Sequence, residues 1–193
     1  ILITKKIENG VWTWDKELKA EVSDLSSDSG DLYKIIGNKP ITVEKLLEEL
    51  LVNSDNTAQN IFKHHLNVDD YIQFQYETGL QDLYNEKGLI SAKEYTRILR
   101  VLYTSSYLEP ENSEKILELL SKSTFKDFLS QGIPSDIKFS HKYGENKEYN
   151  IFADSGIVYI PGKPYMLTII IKGKDSTPDT IAWVTSLMKE ISE

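Results

Sequence analysis

The chain has 193 residues, of which 40% are hydrophobic and 27% charged; that length can bury a full core, and that composition excludes wholesale disorder and the fibrous classes. Thirty acidic against 22 basic residues leave a net charge of -8, so there is no basic excess for phosphate contact and no nucleic-acid partner is expected. Cysteine is absent, which excludes disulfides, thiolate catalysis and thiolate zinc sites, and the longest apolar run, Leu167-Thr168-Ile169-Ile170-Ile171, is far short of the ~20 residues that span a bilayer.

Ile1 to Gly10 reads as the last turns of a helix, with Lys5 and Lys6 late and Gly10 as its stop. No capping residue precedes it, so the reading expects a chain trimmed ahead of Ile1, with any targeting signal outside it. Gly10 to Pro40 is polar and poorly periodic, and Ser23 to Asp31 is a loop by composition. Thr42 then caps a helix whose Val43, Leu46, Leu47, Leu50 and Leu51 share one face. After a break at Asn53-Ser54-Asp55, helices are predicted over Asn56 to Leu66 and Val68 to Tyr76, the second stopped by Gly79. Ser91-Ala92-Lys93-Glu94 is a capping box, and behind it Tyr95, Ile98, Leu99, Leu102 and Tyr103 repeat the one-face pattern. Pro110 to Lys122 and Thr124 to Gln131 read as two more helices.

After Pro134 the period changes to that of strands. Ile137 to Tyr143, Tyr149 to Ile160 and Tyr165 to Lys172 are rich in β-branched and aromatic residues. Turn-like Gly144-Glu145-Asn146-Lys147 and Pro161-Gly162-Lys163-Pro164 separate them, which makes an antiparallel meander. A last helix is expected with Pro178 in its first turn and Ile181, Val184, Leu187, Met188 and Ile191 on one face. Helices segregated from strands give an α+β fold in a single domain, with a helical region at about 40–131 and the sheet and last helix at about 136–193.

Two stretches carry groups suited to chemistry. Ser54-Asp55-Asn56 lies in a break between helices, where a hydroxyl and a carboxamide can face a cleft; the same residues equally suit capping the next helix. His141-Lys142-Tyr143-Gly144 ends the first strand, where an ammonium can attract an anion and a glycine lets backbone approach a ligand; a surface lysine before a hairpin turn reads the same way. Other candidates are structural by expectation. His64 and His65 are adjacent on a helix and make no i, i+4 metal pair; one is expected packed and one solvated. His141 alternates to the face opposite Lys142, Trp12 and Trp14 read as loop anchors, and Asp24, Asp28 and Asp31 as a solvated loop. No metal site is expected.

The order Ser54-Asp55-Asn56, then Lys142-Tyr143-Gly144 on a strand opening a meander, then a last helix, resembles the penicillin-recognising serine hydrolases. That family includes class A β-lactamases and the D,D-peptidases called penicillin-binding proteins, with the signatures S-x-x-K, S-D-N and K-T-G. Leu46 to Asn53 leads into the second signature as in the family, and Ala153 to Pro161 resembles its second long strand, so the resemblance runs from about Ile7 to the end. It implies a β-lactamase/transpeptidase-like fold, no cofactor, an extracytoplasmic location, and acyl-serine chemistry on a β-lactam or a peptidoglycan stem peptide. By the same resemblance Ser54 relays a proton, Asn56 holds the substrate amide and Asp55 fixes the loop. Lys142 attracts the substrate carboxylate and biases Ser54, Gly144 allows close approach, and the N–H of Glu145 is one oxyanion donor.

Three departures qualify this. Tyr143 stands where Thr or Ser usually bonds the substrate carboxylate at short range. The Ser-x-x-Lys strings at Ser123, Ser135 and Ser186 all follow Ser54, whereas the family's precedes it; with 18 serines and 20 lysines in 193 residues, roughly two such strings arise by chance. The nucleophile helix and two strands of the family's sheet are therefore expected upstream of Ile1, the chain alone is expected to be inactive, and Tyr165 to Lys172 becomes an open edge inviting self-association. No Glu-x-x-Leu-Asn exists between the two motifs, and Glu86 is the only carboxylate of suitable type at the matching interval. That favours a D,D-peptidase or slow penicillin binder over an efficient β-lactamase. The other reading is a non-catalytic cell-wall-binding or scaffold domain that retains the fold.

Overall fold

The computed structural model describes residues 1–37, 39–81, 83, 89–173, 180, 183–184, 186–187 and 190–191. The chain forms two compact units, residues 1–81 with 101–119 and residues 82–100 with 120–193. Among the described residues no helix is long and apolar enough to cross a membrane.

The first unit is built on helices α1 (Leu2–Glu8), α2 (Leu32–Ile35), α3 (Val43–Val52), α4 (Asn56–His64) and α5 (Val68–Thr78), with a short ladder of β1 (Glu17–Leu18) against β2 (Ile41–Thr42). The Thr42 side chain accepts from Lys45 N–H at the start of α3, as its residue type predicts. Gly79 closes α5 at φ +68°, a left-handed conformation that costs glycine nothing. Leu46 and Leu47 of α3 pack with Ala58, Ile61 and Phe62 of α4 in one core, joined by Ile3, Trp12, Leu18, Leu32 and Ile36. Trp12 is thus a loop anchor, and Trp14 packs half-buried on the same core. Ser23 to Asp31 is loop after a 3₁₀ turn at Val22–Asp24, as its composition predicts, but Asp24 is not solvated: it is buried, its Oδ2 accepting Glu21 N–H at 2.8 Å. Asp28 and Asp31 are exposed.

The second unit carries a three-stranded antiparallel sheet of β3 (Phe139–Asn146), β4 (Ile151–Val158) and β5 (Tyr165–Lys172), in the order β3-β4-β5. α6 (Ala92–Tyr103) begins in this unit and ends in the first, and α7 (Pro110–Ser121) begins in the first and ends here. One face of the sheet packs Phe139 and Val158, with half-buried Tyr165, Leu167 and Ile169, against Leu129 and Val184. Val184 belongs to the predicted last helix, whose described residues 180, 183, 184, 186, 187, 190 and 191 are helical; Pro178, Ile181 and Met188 lie outside the described residues. Trp183 and Ile191 are exposed.

Two expectations fail here. No α-helix forms over Thr124 to Gln131; a 3₁₀ turn spans Phe128–Gly132, with Phe128 at φ +54°, a conformation that ends a right-handed helix. Phe125 and Phe128 turn onto the sheet instead. The hairpin turn also lies later than predicted. β3 continues through Gly144, Glu145 and Asn146, which pair with Ala153, Phe152 and Ile151, and the chain turns at residues 147–150 with Asn150 at φ +48°.

Candidate active site

Ser54, Asp55 and Asn56 stand in the first unit, at the α3–α4 junction, and Lys142 to Glu145 stand in the second, on β3. Asp55 is the N-cap of α4 and is fully buried. Its Oδ1 accepts Ala58 N–H at 2.9 Å, and its Oδ2 accepts Leu32 N–H at 2.9 Å. A carboxylate held by two N–H donors and a helix N-terminus is satisfied without a cation. The polar segment ahead of α2 is stitched to the same helix. Asn56 N–H donates to Ser29 C=O at 3.0 Å, and Ser26 N–H donates to Thr57 Oγ1 at 3.0 Å. Asn60 Nδ2 donates to Asp24 C=O at 3.1 Å. Gly30, at φ +79°, passes so close that a Cβ there would lie 1.9 Å from Asp55 Oδ2. No larger residue fits that crossing without displacing Asp55.

The consequence for Ser54 is local strain. It is half-buried and sits at φ +55°, left-handed backbone that serine rarely adopts. Asp55 N–H donates back to Glu49 C=O at 3.1 Å, so chain on both sides of Ser54 is fixed. His64 and His65 end the same helix, and both are exposed. His64 Nδ1 lies 3.0 Å from Asp24 Oδ1, and the His65 ring meets Trp12 edge-on at 5.7 Å.

On β3 the side chains alternate, and the backbone parity is set by Tyr159 N–H donating to Lys138 C=O at 3.0 Å. Continued through the register, that bond makes Lys142 and Gly144 exchange hydrogen bonds with Ser155 and Ala153. The N–H and C=O of Tyr143 and Glu145 therefore point away from β4. Lys142 Nζ turns to this side and donates to Tyr143 C=O at 3.2 Å. Burial pushes the Lys142 ammonium down to about 8, with the Asp154 carboxylate opposing the shift. A lysine tuned this way stays mostly charged at neutral pH and gives up its proton at small cost.

Tyr143 points to the other face. Its ring stacks on Phe125 at 3.9 Å and 10° and lies 5.5 Å from Phe128. Its hydroxyl donates to Glu145 Oε2 at 3.2 Å. Burial first, and then the charges of Glu145, Asp154 and Asp127, push the phenol well above its ordinary pKa, so it remains a neutral donor. Two residues before it, His141 is buried, and its Nδ1 lies 2.9 Å from Oδ1 of buried Asp154. The His141 ring stacks on Phe139 at 4.4 Å, over Gly156, where a Cβ would lie 2.2 Å from Phe139. Sequence reasoning missed Asp154, Phe125, Phe128 and Gly30. The one signal available for Asp154 was its place as the single charged residue of its strand. Glu86 lies outside the described residues. Ser123 and Ser135 precede β3, and Ser186 lies in the last helical stretch.

With Ser-Asp-Asn on its helical unit and Lys-x-Gly on its antiparallel sheet, the chain has an α+β, β-lactamase-like fold. A family model for the beta-lactamase enzyme family matches residues 1–193, and the chain belongs to that family, among the penicillin-recognising serine hydrolases. Solved structures agree on the fold. The structure of PBP-A superposes with a TM-score of 0.84 at 19% identity, covering 99% of this chain and 76% of that one. A mutant of PBP-A, solved as an acyl-enzyme complex with penicillin G, gives 0.84 at 18% identity, with 99% and 76% covered. A beta-lactamase from Sphaerobacter thermophilus gives 0.82 at 15% identity, with 98% and 76% covered.

Proposed function

We propose that the chain serves acyl-serine chemistry on β-lactams or peptidoglycan stem peptides, supplying the groups that bind substrate and relay protons. In this reading Asn56 holds the substrate amide, Lys142 attracts the substrate's anionic group, and Glu145 N–H is one oxyanion donor. A serine nucleophile attacks the carbonyl, its proton passes to a neighbouring base, and Ser54 delivers a proton to the leaving nitrogen. Asp55 positions Ser54 and Asn56. The observation that carries this reading is the Ser-Asp-Asn loop itself: a strained serine at φ +55° beside a fully buried, doubly bonded aspartate.

No Ser-x-x-Lys precedes Ser54 within the 193 residues, so these residues alone are proposed to bind and not to turn over. Where a nucleophile is present, the absence of Glu-x-x-Leu-Asn between the motifs favours a long-lived acyl-enzyme, as in a D,D-peptidase or slow penicillin binder. The location proposed is extracytoplasmic, where such substrates are found. A second reading, a cell-wall-binding domain without catalysis, is favoured by Tyr143, whose hydroxyl is engaged by Glu145. We also propose pairing of two copies along β5, which among the described residues has a strand neighbour only in β4; a monodisperse monomer by light scattering at tens of micromolar would contradict it.

The test is incubation with a fluorescent penicillin followed by mass spectrometry. Reversible binding without an adduct is expected from these residues. A stoichiometric adduct at any serine among them would mean that the nucleophile has been misassigned, and no binding at all would reject the substrate class.

A further inference from the structure

We infer that Tyr95 and Thr96, consecutive residues of α6, form a clamp that sets the position of Lys142 by gripping all three strands along one row of the sheet. The row is Lys142 on β3, Ser155 on β4 and Thr168 on β5, each directly opposite the next and therefore on one face. Tyr95 grips one end: its hydroxyl donates to the C=O of Lys142 at 2.9 Å. By the ladder parity that same C=O also accepts Ser155 N–H, so both of its lone pairs are engaged.

Thr96 grips the other end, and the proton of every hydroxyl involved can be assigned. Thr96 Oγ1 donates to Ala92 C=O at 2.9 Å, which uses its only proton. The 2.6 Å contact between Thr96 Oγ1 and Thr168 Oγ1 must then run from Thr168 to Thr96. The contact between Ser155 Oγ and Thr168 Oγ1 must in turn run from Ser155 to Thr168. The chain is directed, Ser155 to Thr168 to Thr96 to Ala92 C=O, and it starts at a serine that is fully buried.

Such a network is an unusual way to hold a sheet. Apolar residues of the same shape would serve stability about as well, because satisfied buried hydroxyls contribute little net free energy. What a directed, fully satisfied network supplies is a unique arrangement. Here it fixes which residue of β3 faces α6. A slip of one residue would carry Lys142 to the opposite face and put Tyr143 or His141 in its place. Tyr95, Thr96, Thr168 and Ser155 are thus positioning residues for Lys142. Their bearing on catalysis rests on the role proposed for Lys142 above; their effect on Lys142 itself does not.

The test is the titration of Lys142 in the full chain, followed in proton–carbon spectra of the lysine ε-methylenes and assigned with Lys142→Arg. The intact chain should titrate near 8, held down by burial, with the Asp154 charge on the sheet's opposite face raising it. Tyr95→Phe and Thr168→Val should loosen the row, admit water and move the midpoint up by about one unit, roughly tenfold in proton affinity. Thr168→Ser keeps the hydroxyl and should restore the original midpoint. A tether that serves stability alone would shift the melting temperature and leave the midpoint in place. Folded Tyr95→Phe and Thr168→Val proteins with unchanged midpoints would overturn the clamp. Failure of the chain to bind penicillin while the midpoints move would reject the proposed function and leave the clamp standing.

Discussion

The Ser-Asp-Asn loop and the Lys-Tyr-Gly strand are both short polar motifs, yet they are held by opposite means. At the loop, one buried carboxylate gathers two N–H groups from different elements, and the backbone beside it accepts strain at Ser54. On the strand, the backbone is unstrained and position comes from register, with Lys142 paired to Ser155 and braced by Tyr95. A loop has no repeating ladder to fix it, so a dedicated side chain must do so. A strand carries its own ladder, and a side chain is needed only to choose among registers. The first motif should therefore be fragile to a single substitution at its anchor, the second more tolerant in stability.

The largest effect is expected at Asp55. Asp55→Ala leaves Leu32 N–H and Ala58 N–H buried without an acceptor and should cost about 3–5 kcal/mol, read from urea unfolding. A loss under about 1 kcal/mol, no more than an ordinary helix cap, would break the comparison.

Gly30→Ala should cost about 2–4 kcal/mol, since the new Cβ meets Asp55 Oδ2 at a φ of +79°. The loss should shrink in the Asp55→Ala background, where the carboxylate is gone and only the Cβ of residue 55, 2.6 Å from the new atom, still obstructs; full additivity there would mean that the two residues do not act as one device.

On the strand, Lys142→Met should stabilise the chain at pH 7. The folded state holds the ammonium at about 8 against 10.5 in the unfolded chain, so burying the charge is penalised at neutral pH. From pH 8 to 10.5 the unfolded state binds a proton that the folded state lacks, and wild-type stability rises relative to Lys142→Met. The gap between the two proteins, on the order of 2–3 kcal/mol at pH 7, should close across that window when unfolding is followed against pH. A gap independent of pH would reject the desolvated lysine as its cause.

The smallest effect is expected at Ser54. Ser54→Gly relieves φ +55° and should gain up to about 1 kcal/mol in urea unfolding. A net loss would mean that Ser54 is not strained.

Much of this was legible in the sequence where one residue decides one local geometry. Thr42 as a cap, Gly79 as a stop and the α+β order all follow from residue type and period. The errors lie where distant contacts overrule local composition. Gly144-Glu145-Asn146-Lys147 has turn chemistry, but Ala153, Phe152 and Ile151 opposite it extend the ladder and move the turn. Thr124 to Gln131 lost its helix to the stack of Phe125 and Phe128 on Tyr143. The segment from Ser23 to Asp31 looked solvated because its side chains are polar. Its backbone is in fact spent on α4, with Ser26 bonded to Thr57 and Ser29 to Asn56, which no spacing rule announces. The motif residues themselves were visible; their supports, Gly30, Tyr95 and Asp154, were not, because each acts on a residue far away in sequence.

The proposed function requires that the two motifs bind one substrate. A titration of the isotopically labelled chain with benzylpenicillin, followed at the backbone amides of Asn56 and Glu145, tests it most directly. Both amides should shift along one binding curve with a single Kd, and Lys142→Ala should weaken that Kd at least tenfold, about 1.4 kcal/mol. Shifts confined to one motif, or two curves with different Kd values, would contradict it.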